Sequence, residues 1–209
     1  PVDIHEMAVG LHFFYPVELT GLVEIIFPDF IDPLKKKQIL QIMESLDLYP
    51  VVQDTKNAFA INRLLLPVQA EAFRLLQQGY SAEMINICSK SARLKIGVFE
   101  MMDSVGLDVL LPAIKNYVSG MPVPEQEDYR ILISGLKKLM QTGKLGKKNK
   151  NGILIGDSLP WEVDKDLMEN KILLQDKLNN IFKKTCSRFV REKQLNAKEL
   201  DEILNMVYS

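Results

Sequence analysis

From Asn57 onward the patterning of this chain is helical throughout, whereas the residues before it mix strands with one helix, and that change limits what it can fold into. Residues 11–15 and 22–27 are short apolar runs rich in β-formers, with Pro16 and Gly21 between them, and they read as two strands. Pro33 suits the first turn of a helix with Asp32 as its cap. Leu34, Ile39, Leu40, Ile42, Met43 and Leu46 then recur at helical spacing. Residues 48–52 read as a third strand, ending at Gln53–Asp54. A strand–strand–helix–strand run is too small to stand alone. It reads as the last part of an α/β sheet, and from Asn57 onward the chain is patterned for helix.

In that helical part, residues 60–78 carry Ile61, Leu64, Leu65, Val68, Ala72, Leu75 and Leu76 on one stripe, with Gly79 as terminator. Pro67 lies inside the stripe and should kink it. Ser81 suits the N-cap of the next helix. Residues 98–117 read as further helix with a break around Ser104–Asp108. Residues 119–128 read as loop, 129–141 as helix and 142–156 as a turn-rich basic loop. The tail, residues 164–209, reads as two helices, and Asn196 with Glu199 has the spacing of a capping box. Lys177-Leu178 through Arg188-Phe189-Val190 faintly echoes Arg63-Leu64 through Arg74-Leu75-Leu76. Either two amphipathic helices resemble each other, or the tail is a partial second copy of the module. The expected division is residues 1–56, 57–160 and 161–209.

Composition narrows the classes. Of 209 residues, 47% are hydrophobic and 25% charged, enough for a real core, and the net charge of -1 argues against nucleic acid or an anionic membrane as the main partner. No run approaches a membrane span, and no N-terminal segment reads as a signal peptide. Cys88 and Cys186 match no disulfide framework or metal motif, so buried free thiols in a reducing compartment, the cytoplasm, are expected.

One histidine and one carboxylate sit on the first two strands, His12 and Glu24. If the strands pair, the two can face each other. Removing a proton from an alcohol suits a neutral imidazole, and a carboxylate on its other nitrogen fixes the tautomer. On the residues alone two plainer readings stay open: His12 as a satisfied histidine of an apolar strand, and Glu24 as a surface residue of an alternating strand.

Gly10-x-His12-Phe13-Phe14-x-Pro16, then Leu22-Val23-Glu24-x-Ile26, resembles the 3-hydroxyacyl-CoA dehydrogenases. The resemblance continues through Pro50-Val51-Val52-x-Asp54, Asn62-Arg63-Leu64-Leu65-x-Pro67, Gly97-x-Phe99-Glu100, Asp103-x-x-Gly106-Leu107-Asp108 and Gly146-Lys147-Lys148, in order over roughly residues 9–155. It implies a mainly α chain: a short remnant of a Rossmann-type dinucleotide-binding domain over 1–56, then the family's all-α C-terminal domain. It further implies oxidation of a 3-hydroxyacyl-CoA to a 3-ketoacyl-CoA with NAD, whose site would lie largely outside this chain. His12 would be the base, Glu24 its partner, and Asn62 a substrate-binding amide. Lys148 would lie near the cofactor's charged part, or be a solvated loop lysine. An acyl-CoA substrate and a homo-oligomer formed through the helical domain are the implied partners. With most of the nucleotide-binding half preceding Pro1, this chain alone is expected to be inactive. Departures from the pattern are Tyr15 where the family has Asn or Ser, Asn57-Ala58-Phe59 for its Pro-Gly-Phe, and Val98 for a proline. The alternative is a non-catalytic assembly or acyl-CoA-binding module of the same family.

Overall fold

In the computed structural model, residues 8–14, 21–54, 59–90, 94, 96–164, 171–192 and 195–208 are described, Asp54 and residues 206–208 by their backbone alone. The chain forms two compact units, residues 1–62 with 188–209, and residues 63–187.

The first unit is built on a three-stranded sheet of β1 (Gly10–Phe13), β2 (Leu22–Phe27) and β3 (Tyr49–Asp54), with β2 in the middle. β1 runs antiparallel to β2 with His12 opposite Glu24, and β2 runs parallel to β3 with Glu24 beside Val51. Helix α1 (Pro33–Ser45) makes the crossover, and the Asp32 side chain accepts the Leu34 N–H at 2.8 Å, with Pro33 in its first turn. This is the start that the sequence predicts. Val23, Ile25 and Phe27 form one core with Met43 of α1. By strand alternation Leu22 and Glu24 point to the opposite face, yet both are fully buried. A middle strand covered on both faces reads as a nearly continuous apolar run. Glu24 is its one charged interruption.

Helix α2 (Ala60–Gln77) opens in this unit and runs on as helix through Pro67. Gly79, at φ +96°, ends it in the left-handed conformation that favours glycine. The chain returns to the first unit at its far end. Helix α9 (Ala197–Tyr208) packs on β2, and the Tyr49 hydroxyl donates to the Glu202 carboxylate. The capping box forms as expected: the Asn196 N–H donates to Glu199 at 3.0 Å and the Glu199 N–H to Asn196 at 2.9 Å.

The second unit contains α3 (Ala82–Lys90), α4 (Val98–Val105), α5 (Leu107–Ser119), α6 (Val123–Glu127), α7 (Arg130–Gln141) and most of α8 (Lys171–Arg191). Residues 119–128, expected as loop, contain the short helix α6. Proline is tolerated in a first helical turn, where its missing N–H would have had no partner, and Pro124 sits there. The break between α4 and α5 falls at Gly106, φ +97°. Phe73 of α2 is fully buried, edge-on to Phe99 at 5.9 Å and to Trp161 at 6.0 Å.

Polar side chains tie these helices to one another and to the loop that follows α7. Asn86 of α3 accepts the N–H groups of Phe99 and Glu100 at 3.1 and 3.0 Å, and Ser89 accepts that of Val98 at 2.9 Å. Three unpaired donors at the start of α4 are thus capped from a neighbouring helix. Buried Asp103 accepts the N–H groups of Ile153 and Leu154 at 2.7 and 2.9 Å. Buried Lys144 donates to Asn151 and the Gly152 carbonyl, both at 2.9 Å, and to the Asp157 carbonyl. On α8, Lys177 ion-pairs with buried Glu71 at 2.7 Å, and Glu71 also pairs with Arg74 at 3.1 Å.

Asp103→Ala strips a buried N–H group, that of Ile153, and a half-buried one, that of Leu154, of their acceptor and is expected to cost about 2–3 kcal/mol. Urea denaturation followed through Trp161 fluorescence checks the loss, and amide exchange should quicken first at Ile153 and Leu154.

Candidate active site

The site grows from Glu24, whose side chain is 0% exposed at the centre of the sheet. Its Oε2 lies 2.7 Å from Nδ1 of His12. The antiparallel register places the two residues directly opposite one another, so their side chains share a face. A slip of one residue would send His12 to the other face.

Its second oxygen is held as firmly. Oε1 accepts the side-chain N–H of Gln53 at 2.8 Å and the backbone N–H of Ile61 at 3.1 Å. Gln53, 5% exposed on β3, uses its own oxygen to accept the Ala60 N–H at 3.1 Å. Two of the orphan donors at the start of α2 are therefore consumed, one by Glu24 and one by Gln53. The positive end of the helix dipole also faces the carboxylate.

Both described partners of Oε1 are donors, an environment that suits a carboxylate acting only as an acceptor. Opposite an ionised Glu24, Nδ1 of His12 is the donor, and in the neutral ring Nε2 is then the basic nitrogen. The imidazole also touches two aromatic rings, Phe14 at 4.6 Å and Phe59 at 5.2 Å between centroids. About 28% of its side chain remains exposed. The arrangement can accept a proton from a polar hydrogen presented at that exposed edge, and the carboxylate can stabilise the resulting imidazolium.

The other expected site residues fall as follows. Asn62 occupies the first turn of α2, half-buried, next to the residue whose N–H holds Glu24. Lys148 lies in the helical unit, in the short 3₁₀ turn of residues 147–149, and is ion-paired with Asp108. That bond holds the Asp108 carboxyl below its ordinary range. Tyr15, Asn57 and Ala58 lie outside the described residues. Sequence reasoning passed over Gln53, although a lone amide in the apolar run Pro50-Val51-Val52-Gln53 was a visible signal. Burial pushes the Cys88 thiol up in pKa, which suits an inert core cysteine. Among the described residues no group of three or more His, Cys, Asp or Glu could hold a metal ion, and no helix is long and apolar enough to cross a membrane.

Gln53→Leu keeps the size of the side chain while removing one donor from Glu24 and the acceptor of Ala60. A loss of about 1–3 kcal/mol is expected in urea denaturation. Slow exchange of the Ala60 amide should disappear with it.

Residues 59–155 match the family model for the C-terminal domain of 3-hydroxyacyl-CoA dehydrogenase. Mitochondrial hydroxyacyl-coenzyme A dehydrogenase of Homo sapiens is 35% identical over 146 residues, 68% of this chain and 45% of that protein. The Sus scrofa protein is 33% identical over the same span. The chain thus covers about half the length of these curated relatives. Among solved structures, (S)-3-hydroxybutyryl-CoA dehydrogenase from Ralstonia eutropha aligns with a TM-score of 0.64 at 26% identity, over 75% of this chain and 54% of that one. The dehydrogenase part of multifunctional enzyme 1 from C. elegans shares the fold over 99% of this chain and 49% of its own, with a TM-score of 0.55 at 20% identity. The ordered motifs, the short sheet followed by helices and these matches agree: the chain belongs to the 3-hydroxyacyl-CoA dehydrogenase family.

Proposed function

We propose that this chain supplies the acid–base half of an NAD-dependent 3-hydroxyacyl-CoA dehydrogenase acting in fatty acid metabolism. The observation that carries the reading is the 2.7 Å contact between His12 and a fully buried Glu24. In the oxidative direction Nε2 of His12 takes the proton of the 3-hydroxyl group as hydride leaves C3. In reverse the imidazolium returns it to the 3-keto oxygen. Glu24 keeps the ring in one tautomer and stabilises its charged form. Asn62 donates its amide to the substrate oxygen or thioester.

The hydride needs an acceptor, which the family relationship identifies as NAD. The residues described here do not fit a dinucleotide cradle. The turn from β2 into α1, Pro28 to Asp32, has no glycine and carries Asp29 and Asp32, the wrong charge for pyrophosphate. The cofactor is therefore assigned to the nucleotide-binding part of the family's length that this chain does not span. Lys148, ion-paired with Asp108, would lie near its charged part. Tyr15, where the family has Asn or Ser, favours one other reading, a non-catalytic acyl-CoA-binding or assembly module. Cys88 and Cys186 are not joined in a disulfide, which suits a reducing compartment; the curated relatives are named mitochondrial, and the cytoplasm is the competing assignment.

For the homo-oligomer, the α4–α5 surface is the better candidate of the two helical faces. Val105 and Val109 are exposed there, whereas α8 lies beside α2 through the Glu71–Lys177 pair.

Two measurements test these assignments. NADH oxidation dependent on 3-ketoacyl-CoA is expected from the full product of the gene and not from residues 1–209 alone. His12→Gln should lower its turnover by about 10²–10⁴-fold with KM little changed. Inactivity of the full product across short and long acyl chains would transfer the protein to the module reading. Light scattering should find a dimer that Val109→Glu converts to monomer; a monomeric wild type would remove the interface.

A further inference from the structure

Residue 59 has a backbone conformation that its side chain does not favour. Phe59 sits at φ +61°, the left-handed region, immediately before α2. A bulky residue there is an outlier that persists only where its surroundings enforce it. The two residues that follow, Ala60 and Ile61, are fully buried, and their N–H groups are committed to Gln53 and Glu24. The chain must therefore enter α2 with both donors aimed at the buried network. The ring that this entry carries stands edge-on to the His12 imidazole, 5.2 Å away at 74° between planes. The Phe14 ring lies 4.6 Å away at 59°.

The Nδ1 bond fixes one end of the imidazole and leaves the ring free to rock about that bond. Aromatic contact removes this freedom. An edge-on phenyl ring also excludes water from the N–H···carboxylate bond, which strengthens it.

We infer that Phe59 is a positioning residue for His12: its left-handed backbone presents a ring that holds the imidazole in line with Glu24 and shields their hydrogen bond from water. The inference rests on the base role proposed for His12, and it concerns how that base is kept in place. Glycine adopts the left-handed backbone without strain, so Phe59→Gly retains the helix entry while deleting the ring. Phe59→Tyr retains the ring.

The test is proton NMR of residues 1–209, with the His12 Nδ1–H resonance identified by its loss in His12→Gln. Wild type and Phe59→Tyr should both show a slowly exchanging, downfield Nδ1–H signal. In Phe59→Gly its exchange with water should accelerate at least tenfold while the Ile61 amide stays protected. An unchanged Nδ1–H signal in Phe59→Gly would overturn the inference. So would parallel loss of Ile61 protection, because the ring would then only be holding the fold. Neither readout depends on catalysis, so an inactive full product would remove the proposed function and leave this test standing.

Discussion

A carboxylate with no exposed surface has to be surrounded by donors, because an unpaired buried charge costs several kcal/mol. Glu24 meets that demand with the His12 imidazole, the Gln53 amide and the Ile61 N–H. The three donors come from three different elements, so they constrain the register of β1, the position of β3 and the starting residue of α2 together. A single buried charge thereby specifies more of the first unit than any of its apolar contacts does. The same demand leaves Nε2 of His12 as the basic nitrogen, so the constraint that organises the fold also prepares the proposed chemistry.

The helical unit uses the same device with other residues. Asn86 and Ser89 cap α4 from a neighbouring helix, Asp103 anchors the backbone at Ile153 and Leu154, and Lys144 is enclosed by carbonyl groups. Close approach of backbone makes these bonds possible. A Cβ at Gly97 would lie 2.1 Å from the Asn86 side chain, and one at Gly152 would lie 2.3 Å from Asp103. The spacing of glycines and short polar residues in Gly97-x-Phe99-Glu100 and Asp103-x-x-Gly106 thus has a packing cause as well as a family one.

Much of this was legible in the sequence. Short apolar runs of β-formers marked the strands and helical spacing marked the helices, and Asp32-Pro33, Gly79, Ser81 and Asn196-x-x-Glu199 marked helix ends through local chemistry. Helix α6 was missed because Pro122 and Pro124 read as loop-formers, although one of them was suited to a first turn. The His12–Glu24 pair could be named as a candidate, but its anchorage could not. Gln53 lies 29 residues from Glu24 and Ile61 lies 37 away, and a backbone N–H leaves no trace in residue identity. The position of Phe59 was equally hidden, since left-handed phenylalanine follows from tertiary constraint and not from local propensity.

The central claim is that a buried, ionised Glu24 fixes the proton of His12 on Nδ1 and leaves Nε2 open. Neutron diffraction from deuterated crystals, grown where the imidazole is neutral, locates that proton directly. The account predicts deuterium on Nδ1, none on Nε2 and none on either oxygen of Glu24. Deuterium on Nε2 with Nδ1 bare, or on the Glu24 carboxyl, would contradict it.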